Sequence, residues 1–378
     1  MKTDKKNSPV IAVVGAGPAG SQSAYLLAKE GYQVHLFEKN KSEMIGRPVQ
    51  CTGIVSKNFA DFFTEEEMKK FTLSQVKGAN IYSKNYCLDL RTDKVQAHII
   101  CRIKFDNFLL ERAKNSGANI YPAHNFQSLR KLDNGKYELF FSKEGKKVAF
   151  LADKVIGADG PLSRVAKSSG MFGERKFWYG AQAVVKGNFD TDMVELHLGE
   201  DYPGFFAWLV PESQTLARIG VAADKEHRNL FDKIMEKKNL PKSSIKEMQG
   251  GLIPKFKKVK TEKDGIYLVG DAAMMTKQTT GGGIVMSLIA ADCIKEHFLT
   301  GKSYESIWQK RLLKDLKMAR TIRKFLDRLN DKKYDKLILT MNKSKNKAML
   351  KEIGDMDFPS KFAIKLFLND VNIITSFF

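Results

Sequence analysis

The sequence predicts an α/β fold with an α+β insertion, followed by C-terminal helices. Three observations predict it. The chain opens, at residues 10–38, with a buried strand, a glycine-rich turn, an amphipathic helix and a second strand. Residues 172–254 then contain several short segments with alternating apolar and polar residues, which are typical of a mostly antiparallel sheet. From residue 301 onward, apolar residues recur at three- and four-residue spacing, as in amphipathic helices.

The first unit carries a glycine motif directly after a strand. Val10–Val14 is a continuous apolar run, typical of a buried parallel strand. The G-x-G-x-x-G motif that follows it spans residues 15–20 and includes Gly15, Gly17, Pro18, Ala19 and Gly20. Glu38 ends the second strand, 18 residues after the last glycine. This arrangement indicates a Rossmann-like dinucleotide site, in which the glycines admit a pyrophosphate to the helix N-terminus and the acid binds a ribose.

Two later strands also end in a glycine and an acid. The pairs are Asp159-Gly160, after a predicted hairpin, and Gly270-Asp271, before a helix that opens at Gly281–Gly283. Either acid alone could simply cap the helix that follows it. Both acids together, each after an apolar strand, favour a ligand site.

Length and patterning divide the chain into two domains and a helical region. A chain of 378 residues is long for one compact core. We assign residues 1–75, 96–170 and 255–300 to a discontinuous dinucleotide-binding domain, residues 76–95 and 171–254 to a mostly antiparallel β substrate domain, and residues 301–378 to a basic helical region.

Charge is the unusual feature of the composition. The chain has 63 Lys and Arg residues against 43 Asp and Glu residues, a formal net charge of +20. Between residues 301 and 351 there are 16 basic and 5 acidic residues. Such a surface attracts an anionic membrane, and a solvated lysine-rich helix face is the alternative. The sequence contains no nucleic-acid-binding module and no arginine–aromatic pattern, so we expect no nucleic acid partner.

Cysteine usage and hydropathy predict the compartment. The four cysteines form no C-x-x-C pair, which argues against a zinc site or a disulfide framework, so we predict no metal and a reduced cytoplasmic protein. The polar first ten residues predict no secretion signal. The uncharged run at residues 278–291 is too short to span a bilayer. The chain is therefore expected to be soluble, or to attach peripherally to the inner face of a membrane. The apolar stretch Phe358–Phe378 is either an interfacial helix or a helix packed on the second domain.

The order of these motifs resembles the FAD-dependent oxidoreductases of the para-hydroxybenzoate hydroxylase type. The resemblance extends over residues 10–298 and implies FAD as the cofactor. It implies that Arg102 neighbours the cofactor, that Asp159 belongs to the second FAD motif, and that Asp271 holds the ribityl chain. The residues assigned to FAD are Gly15, Gly17, Pro18, Ala19, Gly20, Glu38, Lys39, Arg47, Arg102, Asp159, Gly160, Gly270, Asp271, Gly281, Gly282, Gly283 and Ile284.

Two further stretches resemble the geranylgeranyl reductase family. Pro48 and Cys51 partly match its P-x-x-C-x-x-G motif, with the glycine two residues after the cysteine. Trp208 and Pro211 match its Y-x-W-x-F-P-K motif. The departures are Phe206 for tyrosine, Val210 for phenylalanine, Glu212 for lysine and Gln278 for a proline that members usually carry. These departures leave the exact substrate open.

This resemblance implies an enzyme that saturates isoprenoid chains of lipids, including membrane phospholipids, by hydride transfer from reduced flavin. The partners implied are a prenylated lipid and an electron donor. Because the sequence has no second G-x-G-x-x-G motif, the donor is either a reduced ferredoxin-like protein or NAD(P)H that binds without a domain of its own. An FAD-dependent monooxygenase and a non-catalytic prenyl-binding carrier are the alternatives.

Two groups of residues are candidates for the reaction itself. Cys51 is a proton donor or a redox thiol, or else a small packing residue. Phe206, Trp208 and Pro211 line a channel for the prenyl chain, or else pack the core of the second domain.

Overall fold

The computed structural model describes residues 8–360 and confirms the predicted fold class. In chain order the strands within these residues are β1 (Val10–Val14), β2 (Gln33–Phe37), β3 (Ile54–Ser56), β4 (Thr72–Val76), β5 (Gly78–Tyr82), β6 (Cys87–Asp89), β7 (Ala97–Ile100), β8 (Asn119–Tyr121), β9 (Asn125–Lys131), β10 (Tyr137–Lys143), β11 (Lys146–Ala152), β12 (Lys154–Gly157), β13 (Phe177–Lys186), β14 (Met193–His197), β15 (Ala207–Pro211), β16 (Leu216–Ala223), β17 (Ile245–Pro254), β18 (Glu262–Lys263) and β19 (Ile266–Leu268).

The helices alternate with strands in the first half and dominate after residue 284. They are α1 (Pro18–Lys29), α2 (Glu65–Phe71), α3 (Arg102–Asn115), α4 (Arg164–Ser168), α5 (His227–Lys237), α6 (Ile284–Thr300), α7 (Tyr304–Trp308), α8 (Lys314–Leu326), α9 (Asp331–Asn342) and α10 (Ser344–Ile353). A π-helical turn at Gln309–Leu313 joins α7 to α8.

A six-stranded sheet places the three predicted motifs side by side. Its order is β18-β19-β12-β1-β2-β8, and every pair except β18–β19 is parallel. The strands β1, β12 and β19 are neighbours that end at Val14, Gly157 and Leu268. Since parallel strands share one carboxyl edge, the turns that follow these three strands meet there.

A seven-stranded sheet forms the second layer of structure. Its order is β17-β13-β16-β15-β14-β5-β6, and all pairs are antiparallel except β14–β5. Its strands come from residues 78–89 and 177–254. The domain boundaries themselves stay a prediction. Two three-stranded sheets, β3-β7-β4 and β11-β10-β9, complete the described strands.

The C-terminal helices are amphipathic, and most of their basic residues face solvent. Arg323 of α8 is the exception described here. Leu316 and Ala319 of α8 are buried, as the spacing predicts. Arg323 is buried as well, because its guanidinium donates to Asp327 (2.7 Å) and to the Tyr334 hydroxyl (3.3 Å). Within residues 8–360, no helix has the length and apolar character needed to cross a bilayer. Most of the predicted apolar tail lies outside the described residues.

Candidate active site

A cavity of about 560 Å³ lies where the motif turns meet. A volume of this size is usual for small-molecule sites, which are about 300–1,000 Å³. The predicted residues that line it are Gly15, Gly17, Pro18, Ala19, Glu38, Lys39, Cys51, Arg102, Asp159, Gly160, Asp271, Gly281, Gly283 and Ile284. The fold therefore brings together residues up to 269 positions apart in the sequence.

Four other predicted cofactor residues are not part of the cavity lining. They are Gly20, Arg47, Gly270 and Gly282. Gly20 is needed by the turn itself, since an added Cβ would lie 1.9 Å from the carbonyl oxygen of Gly15. Gly270 has a φ of +61°, and an added Cβ would lie 2.8 Å from the hydroxyl of Ser287. Arg47 is exposed on the loop before Pro48.

The glycine turn fits a phosphate ligand. Gly15 has a φ of +103°, and an added Cβ would lie 2.4 Å from the carbonyl oxygen of Ala158, so only glycine allows the turns after β1 and β12 to touch. A Cβ on Gly17 would meet no protein atom within 4 Å. No side chain caps α1, which begins at Pro18, so its first-turn N–H groups are available to an anion.

Glu38 is held in place by hydrogen bonds from the backbone, one of them from the glycine turn after β1. Its carboxylate accepts hydrogen bonds from the backbone N–H of Ala16 (2.8 Å) and of Asn40 (2.9 Å). Each oxygen keeps a further lone pair, since an ionised carboxylate has about four acceptor positions. The side chain can therefore accept ribose hydroxyls without losing either backbone bond.

Asp159 and Asp271 have different surroundings. Asp159 accepts hydrogen bonds from Ser163 (2.5 Å) and from the backbone N–H of Arg164 (2.7 Å), so it does hold the start of α4 while it lines the cavity. Asp271 accepts from Thr276 (3.2 Å). Burial raises the pKa of the Asp271 carboxyl above its usual range, although Thr276 and two nearby arginines favour its ionised form.

Asp271→Asn is expected to weaken FAD binding by about tenfold, because a hydrogen bond to a charged acceptor is lost. The same change should stabilise the apoprotein at pH 7. Since burial raises the pKa of Asp271, its ionised form is disfavoured in the folded state above that pKa, and this cost disappears below the pKa of the unfolded chain.

The measurement is apoprotein melting at several pH values, together with FAD titration. The melting advantage of Asp271→Asn should shrink as the pH falls towards 4. A variant that melts below the wild type at pH 7, or that binds FAD equally well, would refute this account of Asp271.

Arg102 and Cys51 meet at the cavity wall. The Arg102 guanidinium donates to both carboxylate oxygens of Asp106 (3.0 and 2.8 Å). Burial alone would lower the pKa of Arg102, but Asp106 and Cys51 beside it raise that pKa above its usual value. The Cys51 sulfur also accepts a hydrogen bond from the N–H of Gly53 (3.3 Å). Both contacts place positive electrostatic potential at the sulfur.

The predicted substrate residues lie in β15 or immediately before it, and they are buried outside the cavity lining. The Trp208 indole donates to the side-chain oxygen of Gln182 (3.2 Å). Phe206 stacks on Phe205, with ring centroids 4.1 Å apart. Of the two stacked rings, Phe205 is the one that approaches the cavity wall at Gly281, where an added Cβ would lie 3.1 Å from it. Pro211 ends β15, and its carbonyl accepts from Ser74 (2.9 Å). Substrate contact by Phe206, Trp208 and Pro211 stays a prediction.

Sequence reasoning missed several contributors to the site, and two of them are described here. Arg175 donates to the carbonyl oxygens of Pro161 (2.9 Å) and Ala272 (2.8 Å), so it joins the turns that carry the two acids. Burial lowers the pKa of Arg175 to about 10. No motif surrounds this arginine. The second contributor is the run Leu252–Pro254 at the end of β17, which lines the cavity and follows a Gly-Gly pair, the one available signal.

Comparison with known proteins agrees with the predicted cofactor and family. A family model described as FAD binding domain matches residues 7–289. The digeranylgeranylglycerophospholipid reductase of Methanothrix thermoacetophila is 28% identical over 387 residues, covering 95% of this chain and 96% of the relative. The enzyme of the same name from Methanocaldococcus jannaschii is 26% identical over 389 residues, covering 96% and 97%.

A solved structure shares the fold along nearly its whole length. It is a geranylgeranyl bacteriochlorophyll reductase-like protein from Thermoplasma acidophilum, with a TM-score of 0.83 and 23% identity. The match covers 98% of this chain and 99% of that structure. The predicted FAD cofactor and the resemblance to geranylgeranyl reductases are thereby confirmed.

Proposed function

The chain belongs to the FAD binding domain family, and we propose that it is an FAD-dependent reductase that saturates carbon–carbon double bonds of a geranylgeranyl lipid in membrane phospholipid synthesis. The observation that carries the proposal is the convergence of Cys51, Arg102 and the three motif turns on one cavity. The names of the two relatives support the choice of lipid.

The residues present fit FAD. The first-turn N–H groups of α1 would hold the pyrophosphate, Glu38 a ribose, and Asp271 the ribityl hydroxyls. The N-terminus of α6, at Ile284, adds a positive helix end to the same cavity. When bound and reduced, FAD supplies the hydride.

The second hydrogen of the saturated bond has to arrive as a proton. We assign it to the Cys51 thiol, which becomes a thiolate that regains its proton from water. The guanidinium of Arg102 beside Cys51 compensates the charge that forms on the sulfur. The two electrons come from outside the chain, either from a reduced ferredoxin-like protein or from NAD(P)H. A redox role of Cys51 remains the second interpretation.

The apolar part of the cavity suits an isoprenoid chain. Leu252, Ile253 and Pro254 line the same cavity as Cys51, and the Ile253 side chain lies against Gly281. Such side chains exclude water, which a hydride transfer to an unactivated alkene requires.

The exposed lysines of the C-terminal helices would hold the enzyme on an anionic bilayer. Lys317 and Lys324 of α8 and Lys345 of α10 are exposed. Because each basic residue near an anionic surface contributes about 1 kcal/mol, changing all three to Gln should weaken binding to anionic vesicles at least about tenfold. Sedimentation with vesicles of mixed anionic and zwitterionic lipid measures this.

The control for vesicle binding removes the same charge elsewhere. Lys131, Lys143 and Lys146, changed to Gln, lie on the three-stranded sheet β11-β10-β9 and are also exposed. If both triple variants lose binding equally, the C-terminal helices have no special role in it.

The function itself is tested by incubating the FAD-loaded protein with dithionite and a geranylgeranyl glycerophospholipid. The lipid should gain pairs of hydrogens, as followed by mass spectrometry. Oxygen consumption driven by NAD(P)H and stimulated by an aromatic compound, with no change in the lipid, would replace this proposal with the monooxygenase. A pure protein that holds no flavin would favour the carrier.

A further inference from the structure

Lys277 and Asp357 form a buried ion pair that no cofactor motif includes. Their side chains are 6% and 1% exposed, and the ammonium contacts the carboxylate directly. The ammonium also donates to the carbonyl oxygen of Met356 (3.0 Å). A buried charge is tolerated only with a well-placed partner, so each of these residues needs the other.

Lys277 supports one wall of the cavity from behind. Its N–H donates to the carbonyl oxygen of Gly282 (3.1 Å), and its carbonyl accepts from the N–H of Gly281 (2.8 Å). A Cβ on Gly282 would lie 3.3 Å from the ammonium nitrogen. Thr276, Gly281 and Gly283 line the cavity. The conformation of this wall therefore depends on where the Lys277 side chain is held.

Asp357 also contacts a second wall. Its carboxylate accepts hydrogen bonds from the hydroxyl of Ser56 and from the side-chain amide of Asn58 (3.2 Å). Ser56 ends β3, the strand that follows the Cys51 turn. The Asn58 amide also contacts Asp355 (3.0 Å), which anchors the C-terminal segment at the same place.

We propose that Asp357 is a positioning residue that holds the Cys51 turn and the Gly281–Gly283 wall at a fixed separation. One carboxylate from the C-terminal region joins both walls, so this region helps to build the site, in addition to any contact with a membrane. This role of Asp357 depends on the FAD cavity and not on a lipid substrate, so FAD affinity and Cys51 alkylation test it separately from the reductase proposal.

The test compares Asp357→Asn with the matched control Asp335→Asn. Asp335 lies in α9 and pairs with Asn85 at the surface. Asp357→Asn should raise the Kd for FAD about tenfold, which corresponds to about 1.4 kcal/mol. It should also speed alkylation of Cys51 by N-ethylmaleimide at least about fivefold, because the turn opens more often. Peptide mass spectrometry follows Cys51, with the exposed Cys87 as internal reference.

Two further variants test the positioning role of Asp357 if Asp357→Asn does not fold. Ser56→Ala detaches Asp357 from β3 and leaves the ion pair intact, so it should speed Cys51 alkylation. The double variant Lys277→Met with Asp357→Asn buries no unpaired charge, and it should still show the faster alkylation. Wild-type alkylation rates and FAD affinity in the folded variants would overturn the proposal, as would an equal effect of Asp335→Asn.

Discussion

Gly17→Val is expected to abolish FAD binding while the apoprotein stays folded. Gly17 has a φ of −70° and a ψ of −179°, a conformation that valine adopts readily. Its Cβ would meet no protein atom within 4 Å and would point into open space beside the cavity. The isopropyl group would therefore take the room of the pyrophosphate at the start of α1.

The expected rise in the Kd for FAD is at least about 100-fold, because hydrogen bonds to a charged group contribute about 1.5–3 kcal/mol each and more than one is lost. Titration of the apoprotein, followed by quenching of flavin fluorescence, measures this Kd. The melting temperature of the apoprotein should stay within about 2 °C of the wild type, as for changes that create no new contact.

Gly15→Ala serves as the contrasting variant. Its added Cβ would lie 2.4 Å from a backbone oxygen, and its φ of +103° disfavours any side chain. We therefore expect it to lose FAD binding and to melt lower. If Gly17→Val binds FAD like the wild type, the pyrophosphate does not lie at this turn.

Cys51→Ala is expected to slow the reduction of the lipid by about 10²–10⁴-fold, the usual contribution of a general acid. The thiol lies on the cavity wall beside Arg102, and an alanine there has no proton to donate. Single-turnover kinetics with pre-reduced protein measure this rate without the influence of the electron donor.

Three observations separate this role of Cys51 from packing. FAD affinity should be unchanged in Cys51→Ala, Cys51→Ser should recover part of the rate, and Cys87→Ser should react like the wild type. A wild-type rate in Cys51→Ala would assign the residue to packing. A loss only with the natural electron donor, and not with dithionite, would favour the redox interpretation.

Local motifs account for the part of the site that the sequence predicts well. The glycine turn, Glu38 and the two acid–glycine pairs each lie within a few residues of a strand end. Because β1, β12 and β19 are parallel neighbours, predicting the strands was enough to place these turns together. Cys51 became a candidate for the same site through the family resemblance around Pro48 and Cys51, and not through the order of the strands.

The remaining contributors depend on pairings that only tertiary structure creates. Arg175 donates to two backbone carbonyls. Because every residue has a backbone carbonyl, no sequence motif marks these partners. Lys277 and Asp357 are 80 positions apart and look like ordinary surface residues of a lysine-rich chain. Trp208 and Phe206 have the composition of a lipid channel, but the alternation along β15 does not reveal which aromatic residue approaches the cavity.

The account is tested most directly by one anaerobic single turnover. Dithionite-reduced, FAD-loaded protein is mixed with a geranylgeranyl glycerophospholipid, while flavin absorbance and lipid mass are followed together. We expect the flavin to reoxidise at the rate at which the lipid gains two hydrogens for each flavin. A flavin that stays reduced, with a lipid of unchanged mass, would contradict the proposed reduction of this lipid.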